Sequence, residues 1–593
     1  MQTTTVQVFV INEATLFPFL WSVISGRKPV VLAIEPWFPP FTQMIDKLVS
    51  RLIASGRSCE IISLCPDETQ LWNYPLRTLL YNVFGRTEVW HNCYFHYDEA
   101  TDSSADYGFS YKHLTCNFMK IRHFQVLLLG RALDADTAEK IVVHGLPPET
   151  VGLMNAYWQD RFFSRLKPME APRRIVNALI AIGILMASTI WILFRLRVFA
   201  PSPRLVFAMA DCIGDSRDLQ LYRAFQEGGD VVLVARNKAI GPGHAEIESG
   251  FECVERGQGI VPFLEWPGYM AMLVRDLIHL LQTFGDRVPA HFYKVAVLPF
   301  YRARYRALFR RFQPQFFWGR DDYNEDHLIR RQELQQFGGL SLGVIHGWPS
   351  YANLFPMWRY ISFDTYFVFG RALHERYTHD TWAKDMAVIP AGSFGASREA
   401  YQLVTFKRPK DIVIMASVFI GEPLMVSFIR DLAQAFPERK VFLQIKSTFI
   451  NKSEGRIFVA RCQRELSNVI LCSDPLYAMF TKGRYAFSDP STAVVEALQF
   501  GQMAFCIDVL KHHDTCIYRE FPGLCVTSGA EAVERIIKIE SGEWAYDRNE
   551  YSDLVDLSGR PFIDYVREAV GLPTLTTITH NAPLNHKREA TLP

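Results

Sequence analysis

The sequence predicts an α/β protein of two Rossmann-like lobes, preceded by an additional N-terminal α/β domain and a hydrophobic membrane-associated helix. Three observations predict it. The chain has 593 residues, more than one hydrophobic core organises. Short β-rich runs alternate with segments of helical spacing along most of it, the pattern of parallel sheets covered by helices. That alternation restarts twice, after an uncharged stretch at 175–194 and after the small-residue stretch AGSFGAS at 391–397. The boundaries that follow are 1–165, the helix at 172–200, lobes at 204–395 and 396–572, and a polar tail at 573–593 read as disordered.

In the first domain, Val6–Ile11 and Pro29–Ile34 are β-rich and Phe41–Ala54 has helical spacing behind Pro39 and Pro40. Glu60–Leu64, Phe124–Leu129 and Lys140–Val143 are further candidate strands, with a short helix at Asp134–Glu139. The polar, aromatic stretch from His91 to His113 reads as a solvated loop, and no motif in 1–165 fixes a chemistry.

Ile175–Phe194, IVNALIAIGILMASTIWILF, carries no charge over twenty residues, the length needed to cross a hydrocarbon core. Arg173 and Arg174 precede it and Arg195 and Arg197 follow it, so charge does not choose an orientation. Three arrangements are open. A span places 1–170 and 204–593 on opposite sides of a membrane. A helix lying in the interface keeps both on one side. A buried core helix needs no membrane. The start of the chain has no basic segment ahead of its first apolar run, so no secretory signal is expected.

In the first lobe, Arg204–Ala210 and Asp230–Ala235 read as strands around a helix at Arg217–Gln226. Tyr269–Phe284 and Arg302–Phe312 read as helices, Gln315–Trp318 and Leu340–Ile345 as strands flanking a helix at Asp326–Phe337. Asp364–Phe369 and Met386–Pro390 are the last strands, with a helix from Ala372 between them. In the second lobe the predicted strands are Asp411–Met415, Lys440–Ile445, Val469–Cys472, Arg484–Phe487 and Met503–Ile507. Helices at Met425–Phe436, Arg456–Leu466, Leu476–Thr481 and Thr492–Phe500 alternate with them. Two such lobes enclose a cleft at their strand ends, where open α/β sheets bind ligands.

Net charge is +1, so no overall field draws nucleic acid, and nucleic acid is not an expected partner. Eleven cysteines without a CxxC pair read as reduced, buried thiols. No metal is expected: His512, His513 and Cys516 supply only three ligand-type residues, and Asp321-Asp322 makes no convincing metal motif. The helix YRARYRALFRRF, Tyr301–Phe312, interleaves five arginines with apolar residues. It suits an anionic membrane surface, or else is an ordinary solvated face.

The sharpest candidate site is SDPSTAVVEALQFG at 488–501, the end of a strand, a tight turn and a helix start. Free N–H groups and the dipole at such a start attract phosphate. Ser488, Ser491 and Thr492 add hydroxyl donors, and Glu496 lies one turn further in, within reach of a ribose. The alternative is plain N-capping by Ser491. The second candidate is GVIHGW at 343–348. His346 at a strand end can take a proton from a hydroxyl at neutral pH, and Gly347 admits a close approach. Asp211 and Asp215, in MADCIGDSRD, are candidate catalytic carboxylates or caps of the following helix. Arg320 follows a strand and is a candidate for an anionic acceptor or a phosphate, and Ser417 begins a loop placed to touch a nucleotide.

His346-Gly347, then Phe369-Gly370, then Ser488-Asp489-Pro490-Ser491-Thr492 with Glu496, resembles the glycosyltransferase-B (GT-B) superfamily over about 204–580. The resemblance is to the branch of CDP-glycerol glycerophosphotransferases, polysialyltransferases and capsular polysaccharide transferases. It implies acceptor binding by the first lobe and nucleotide-donor binding by the second. By it, His346 is the candidate base, and Ser491, Thr492 and Glu496 are donor contacts. The branch often has a His-Pro pair after the second strand of the donor lobe. Here that place reads LQIKST at 443–448, which makes Lys446 the candidate phosphate ligand. No cofactor is implied, the nucleotide-activated sugar being a substrate. The implied partners are that donor, a lipid-linked or polymeric glycan acceptor, and the cytoplasmic face of the inner (plasma) membrane. A nucleotide-sugar epimerase and a non-catalytic scaffold of a polysaccharide assembly complex are the alternatives.

Overall fold

In the computed structural model of the chain, the described residues are 5–12, 15–27, 30–34, 39–55, 110–111, 113–114, 140–146, 166–168, 173–212, 216–235, 250–287, 289–322, 324–348, 360–404, 408–417, 420, 423–451, 453–509 and 517–574. The predicted elements at Glu60–Leu64, Phe124–Leu129 and Asp134–Glu139, the loop from His91 up to residue 109, and the His512, His513, Cys516 group fall outside them. The described end of that loop, Ser110, Tyr111 and His113, is helical and buried, not solvated, because its side chains pack into the following lobe.

The N-terminal unit holds a parallel sheet of β1 (Thr5–Ile11), β2 (Val30–Ile34), β3 (Lys140–Leu146) and β4 (Leu166–Pro168), in the order β2-β1-β3-β4. It does not stand apart. Val8, Val10 and Val143 belong to one apolar cluster with Tyr360 and Tyr366 of the following lobe. Tyr111 and Leu114 enter that lobe's core beside Phe284.

The helix Arg173–Arg195 covers the predicted apolar stretch. It packs on the helices Trp266–Phe284 and Pro289–Ala296. Asn177 fixes its start by donating to the carbonyls of Gly285 and Arg287, both at 2.8 Å. The two-residue strand β5 (Leu196–Arg197) leads out of it.

The first lobe is a seven-stranded sheet built from β6 (Arg204–Cys212), β7 (Val231–Ala235), β8 (Glu252–Glu255), β10 (Phe312–Gly319), β11 (Leu340–Val344), β12 (Thr365–Val368) and β13 (Ala387–Pro390). Every neighbouring pair is parallel. The order β13-β12-β11-β10-β6-β7-β8 reverses between β6 and β10. The short β9 (Val261–Pro262) pairs with β5.

The second lobe repeats the plan with β14 (Ile412–Ala416), β15 (Val441–Ile445), β16 (Val469–Cys472), β17 (Tyr485–Ser488), β18 (Met503–Ile507) and β19 (Cys525–Val526). Its order, β16-β15-β14-β17-β18-β19, is again all parallel and reverses between β14 and β17. β14 reads IVIMA and is buried at every position, as a central strand covered on both faces requires. Together the lobes are the two-Rossmann, GT-B-like architecture.

Two chain crossings join the lobes side by side. The segment after β13 leads forward, and the chain returns through residues 553–556 to a last helix, Phe562–Ala569, that packs on the first lobe. Arg567 anchors it with both terminal guanidinium nitrogens on Glu227, at 2.9 and 2.6 Å. Asp556 N donates to Phe369 O at 2.8 Å and Phe562 N to Ala396 O at 2.9 Å. This explains Phe369-Gly370: a Cβ on Gly370 would lie 2.4 Å from the Asp553 carbonyl, so the returning chain passes only over glycine.

The helix expected from Ala372 begins there and runs on as a π-type turn over His374–Thr378. Two readings need correction. The helix expected at Arg302–Phe312 runs from Leu298 to Arg311, and Phe312 already opens β10. The arginine-rich helix is not an open basic face. Arg302 and Arg306 both bind Glu333, Arg310 binds Glu265, and Arg311 donates to the Gln258 carbonyl.

Candidate functional site

The second lobe's order reversal leaves a crevice beyond the C-terminal ends of β14 and β17, the place where such sheets take ligands. The chain builds it from short side chains. Asp489, directly after β17, accepts from Ser417 N at 2.7 Å and Ser417 Oγ at 2.8 Å, tying the β14 loop across the reversal. Ser488 Oγ lies 2.9 Å from Ser491 Oγ. Ser491 caps the helix Thr492–Gln499, its Oγ accepting from Ala493 N. A cavity of about 450 Å³ opens here. It is lined by strand ends 415–417, 444–447 and 472–474, by Ser488 and by the helix start 491–493. Five of the residues proposed for nucleotide contact, Ser417, Lys446, Ser488, Ser491 and Thr492, therefore share one cavity.

Glu496 is not among the lining residues. It faces the interlobe segment instead, accepting from Ser393 Oγ at 2.6 Å and from the Tyr477 hydroxyl. Burial raises its pKa, against the hydrogen bonds from Ser393 and Tyr477 and the charge of Arg217. Gln499, one turn on, accepts from Ser393 N at 2.8 Å. The helix that opens the cavity thus uses its far end to fasten the lobes together.

His346 follows β11 in the opposing lobe and its side chain stays exposed to the cleft. Its main chain is held by the buried Asp322, whose Oδ2 accepts from His346 N at 2.8 Å and from the Tyr366 hydroxyl at 2.9 Å. The surrounding protein lowers the imidazole pKa, and the positive charges of Arg320, Lys446 and Arg217 lower it further. The ring is therefore neutral at neutral pH, the form that accepts a proton. Two residues on, Trp348 N donates to Thr492 Oγ1 at 3.0 Å. Gly347 permits the approach, since a Cβ there would meet Thr492 Oγ1 at 3.1 Å.

At the matching reversal of the first lobe the described residues are charged and buried. At the end of β6, Asp211 is 1% exposed and lies 3.4 Å from Arg330, which grips Asp321 at 2.9 and 2.7 Å. Burial opposes the charge on Arg330, but Asp321 and Asp211 outweigh it and raise its pKa. Arg320 donates to the buried Asp218 at 2.7 Å and lies 4.6 Å from the centre of the Phe394 ring. Asp211, offered as a carboxylate facing the cleft, is thus an internal counter-ion, while Asp215 lies outside the described residues. Among the described residues no group of three or more His, Cys, Asp or Glu side chains is arranged to hold a metal ion.

Three participants were not singled out by sequence. Asp322 is visible there only as half of an Asp-Asp pair, and the fold gives the two halves separate partners. Arg217 stands in the MADCIGDSRD motif, and its charge reaches both His346 and Glu496. Ser393 lies in the stretch read as a plain linker.

No known family matches the chain by sequence, and no curated protein does. Among solved structures, Acinetobacter baumannii MurG is similar at 11% identity and a TM-score of 0.35, covering 62% of this chain and 99% of that one. The UDP-GlcNAc 2-epimerase of Neisseria meningitidis is similar at 10% identity and 0.38, covering 64% and 100%. The wall teichoic acid polymerase TagF is similar at 9% identity and 0.36, covering 70% and 99%.

Proposed function

We propose that the chain is a glycosyltransferase that moves a sugar, or a related phosphoalcohol, from a nucleotide-activated donor to a lipid-linked or polymeric surface glycan. One observation carries the reading: the Trp348–Thr492 bond brings the exposed His346 of one lobe to the helix start that lines the open crevice of the other. A base and an anion-binding helix start then face each other across a cleft.

In this reading the second lobe holds the donor. The helix start at Ser491 and Thr492, with Lys446, takes the phosphates. His346 Nδ1 or Nε2 accepts the proton of the acceptor hydroxyl as its oxygen bonds to the transferred group. The bond from that group to the donor phosphate breaks, and the electron pair leaves with the nucleotide. The negative charge growing on the leaving phosphate is met by the helix N-terminus and the Lys446 ammonium. Nucleotide-activated donors are cytosolic, which puts the enzyme at the cytoplasmic face of the plasma membrane.

The test is product formation by the purified chain with CDP-, CMP-, UDP- and GDP-linked donors, with and without a lipid extract as acceptor. Transfer that requires the acceptor is the expected result. Conversion of a nucleotide sugar without acceptor would instead identify an epimerase, and folded protein inert to all donors a scaffold.

A further inference from the structure

The helix Arg173–Arg195 shows which of its three arrangements the fold permits. It is not a core helix: Ile175, Leu179, Ile182, Met186, Ile190 and Leu193 are each more than half exposed. They recur every three or four residues and form one stripe along the helix. The opposite face is fastened to the first lobe through Asn177, Ala181, Ser188 and Ile192, all buried. The stripe is extended by neighbours. Phe263 N donates to Arg197 O at 2.9 Å, which sets the exposed Phe263 and Leu264 beside Val198 and Phe199. Leu264 is 91% exposed and Phe199 93%. The adjoining helix Trp266–Phe284 adds Val274 and Ile278. Single exposed apolar residues are ordinary, whereas a continuous face of this kind marks an interaction surface.

A crossing helix is excluded by what precedes it. Tyr111, before the helix in sequence, packs edge-on against Phe284, after it, with ring centres 5.2 Å apart. His113 Nδ1 lies 3.2 Å from Tyr360 O and its ring meets His327. Val8, Val10 and Val143 share a core with Tyr366. Segments on both sides of the helix are buried in one lobe, so they occupy one side of any membrane.

We propose that the first lobe lies on an anionic bilayer through this face, with the helix parallel to the membrane plane and the whole described chain on one side. Arginines bracket the apolar stripe, Arg173 at its start and Arg195 and Arg197 at its end, while Arg174 beside them is paired with Asp286. Apolar side chains enter the acyl boundary while guanidinium groups meet acidic headgroups. The lobe that carries His346 is then the lobe at the lipid surface, and the crevice of the other lobe stays open to soluble nucleotide. This deepens the transferase reading by placing a lipid-linked acceptor, and it is measured without any activity, so the two fail separately.

The experiment is co-flotation of the full chain with phosphatidylglycerol-containing vesicles and with phosphatidylcholine vesicles. The expected result is salt-sensitive binding that favours the anionic vesicles, and a loss of at least tenfold in Ile182→Asp/Met186→Asp/Ile190→Asp. That variant alters only the exposed face, so its thermal transition should match the parent's. Equal flotation of parent and variant would overturn the proposal, as would a parent that stays soluble. A second measurement needs no variant. On sealed membrane vesicles carrying the chain with a tag at each end, protease added outside should remove both tags together or neither. Removal of one with protection of the other would restore the crossing helix.

Discussion

The two crevices of this molecule share a strand order and differ in almost everything else. In each lobe the order reverses beside the first strand, where the fourth strand of the sheet pairs to begin the other half. The first lobe fills that position with Asp211, Arg330 and Asp321, a buried ionic cluster. The second fills it with serines, a threonine and one aspartate that binds its own loop, and a cavity remains. The same topology thus carries a buried ionic cluster in one lobe and a cavity in the other. The first lobe contributes His346 at its rim.

Substitutions on the two sides should separate accordingly. The largest effect is expected at His346. Its side chain is exposed and its loop is held through the main chain, so His346→Ala should fold normally and keep nucleotide affinity. Turnover should fall by about 100- to 10,000-fold, the scale of a lost general base. A rate within threefold of the parent would remove His346 from the mechanism.

Asp321→Ala should show the reverse pattern. It leaves Arg330 charged and buried beside Asp211 alone, a loss of about 3–5 kcal/mol for a broken buried pair. Chemical denaturation would read that loss, while nucleotide affinity of the folded fraction stays unchanged. A stable variant with weakened nucleotide binding would mean that the first crevice, too, serves the ligand.

A smaller effect is expected in the pH profile. In the proposed role His346 accepts a proton in its neutral form, and its pKa is held below the ordinary 6.5 by the protein around it and by three cations. Activity should therefore persist as pH drops through 6.5 and fall only below it. An acid limb above 6.5 would point to a different titrating group.

Much of this plan was legible in the sequence, for identifiable reasons. The second lobe's first five strands are apolar runs separated by amphipathic helices, and each of those strands was placed within a residue or two. β19 has two residues and β8 is the polar ECVE, so neither carries a period to detect. Ser488, Ser491 and Thr492 were legible because a strand end, a turn and a helix start follow one another within five residues. Glu496 was misjudged because sequence distance along a helix does not say which neighbour it meets. Its partners, Ser393 and Tyr477, lie 103 and 19 positions earlier in the chain. The arginines of 302–311 misled for the same reason, since Glu333 and Glu265 are distant in sequence. Long-range ion pairs leave no local pattern.

The most direct test of the account is calorimetric titration of the purified chain in detergent with CDP-, CMP-, UDP- and GDP-linked compounds, beside Ser491→Ala/Thr492→Ala. The account predicts saturable binding of one nucleotide class by the parent. The double variant should lose about tenfold or more, since a hydrogen bond to a charged group is worth about 1.5–3 kcal/mol. Binding of equal strength in both proteins, or none by folded parent protein, would contradict the assignment of the second crevice as the donor site.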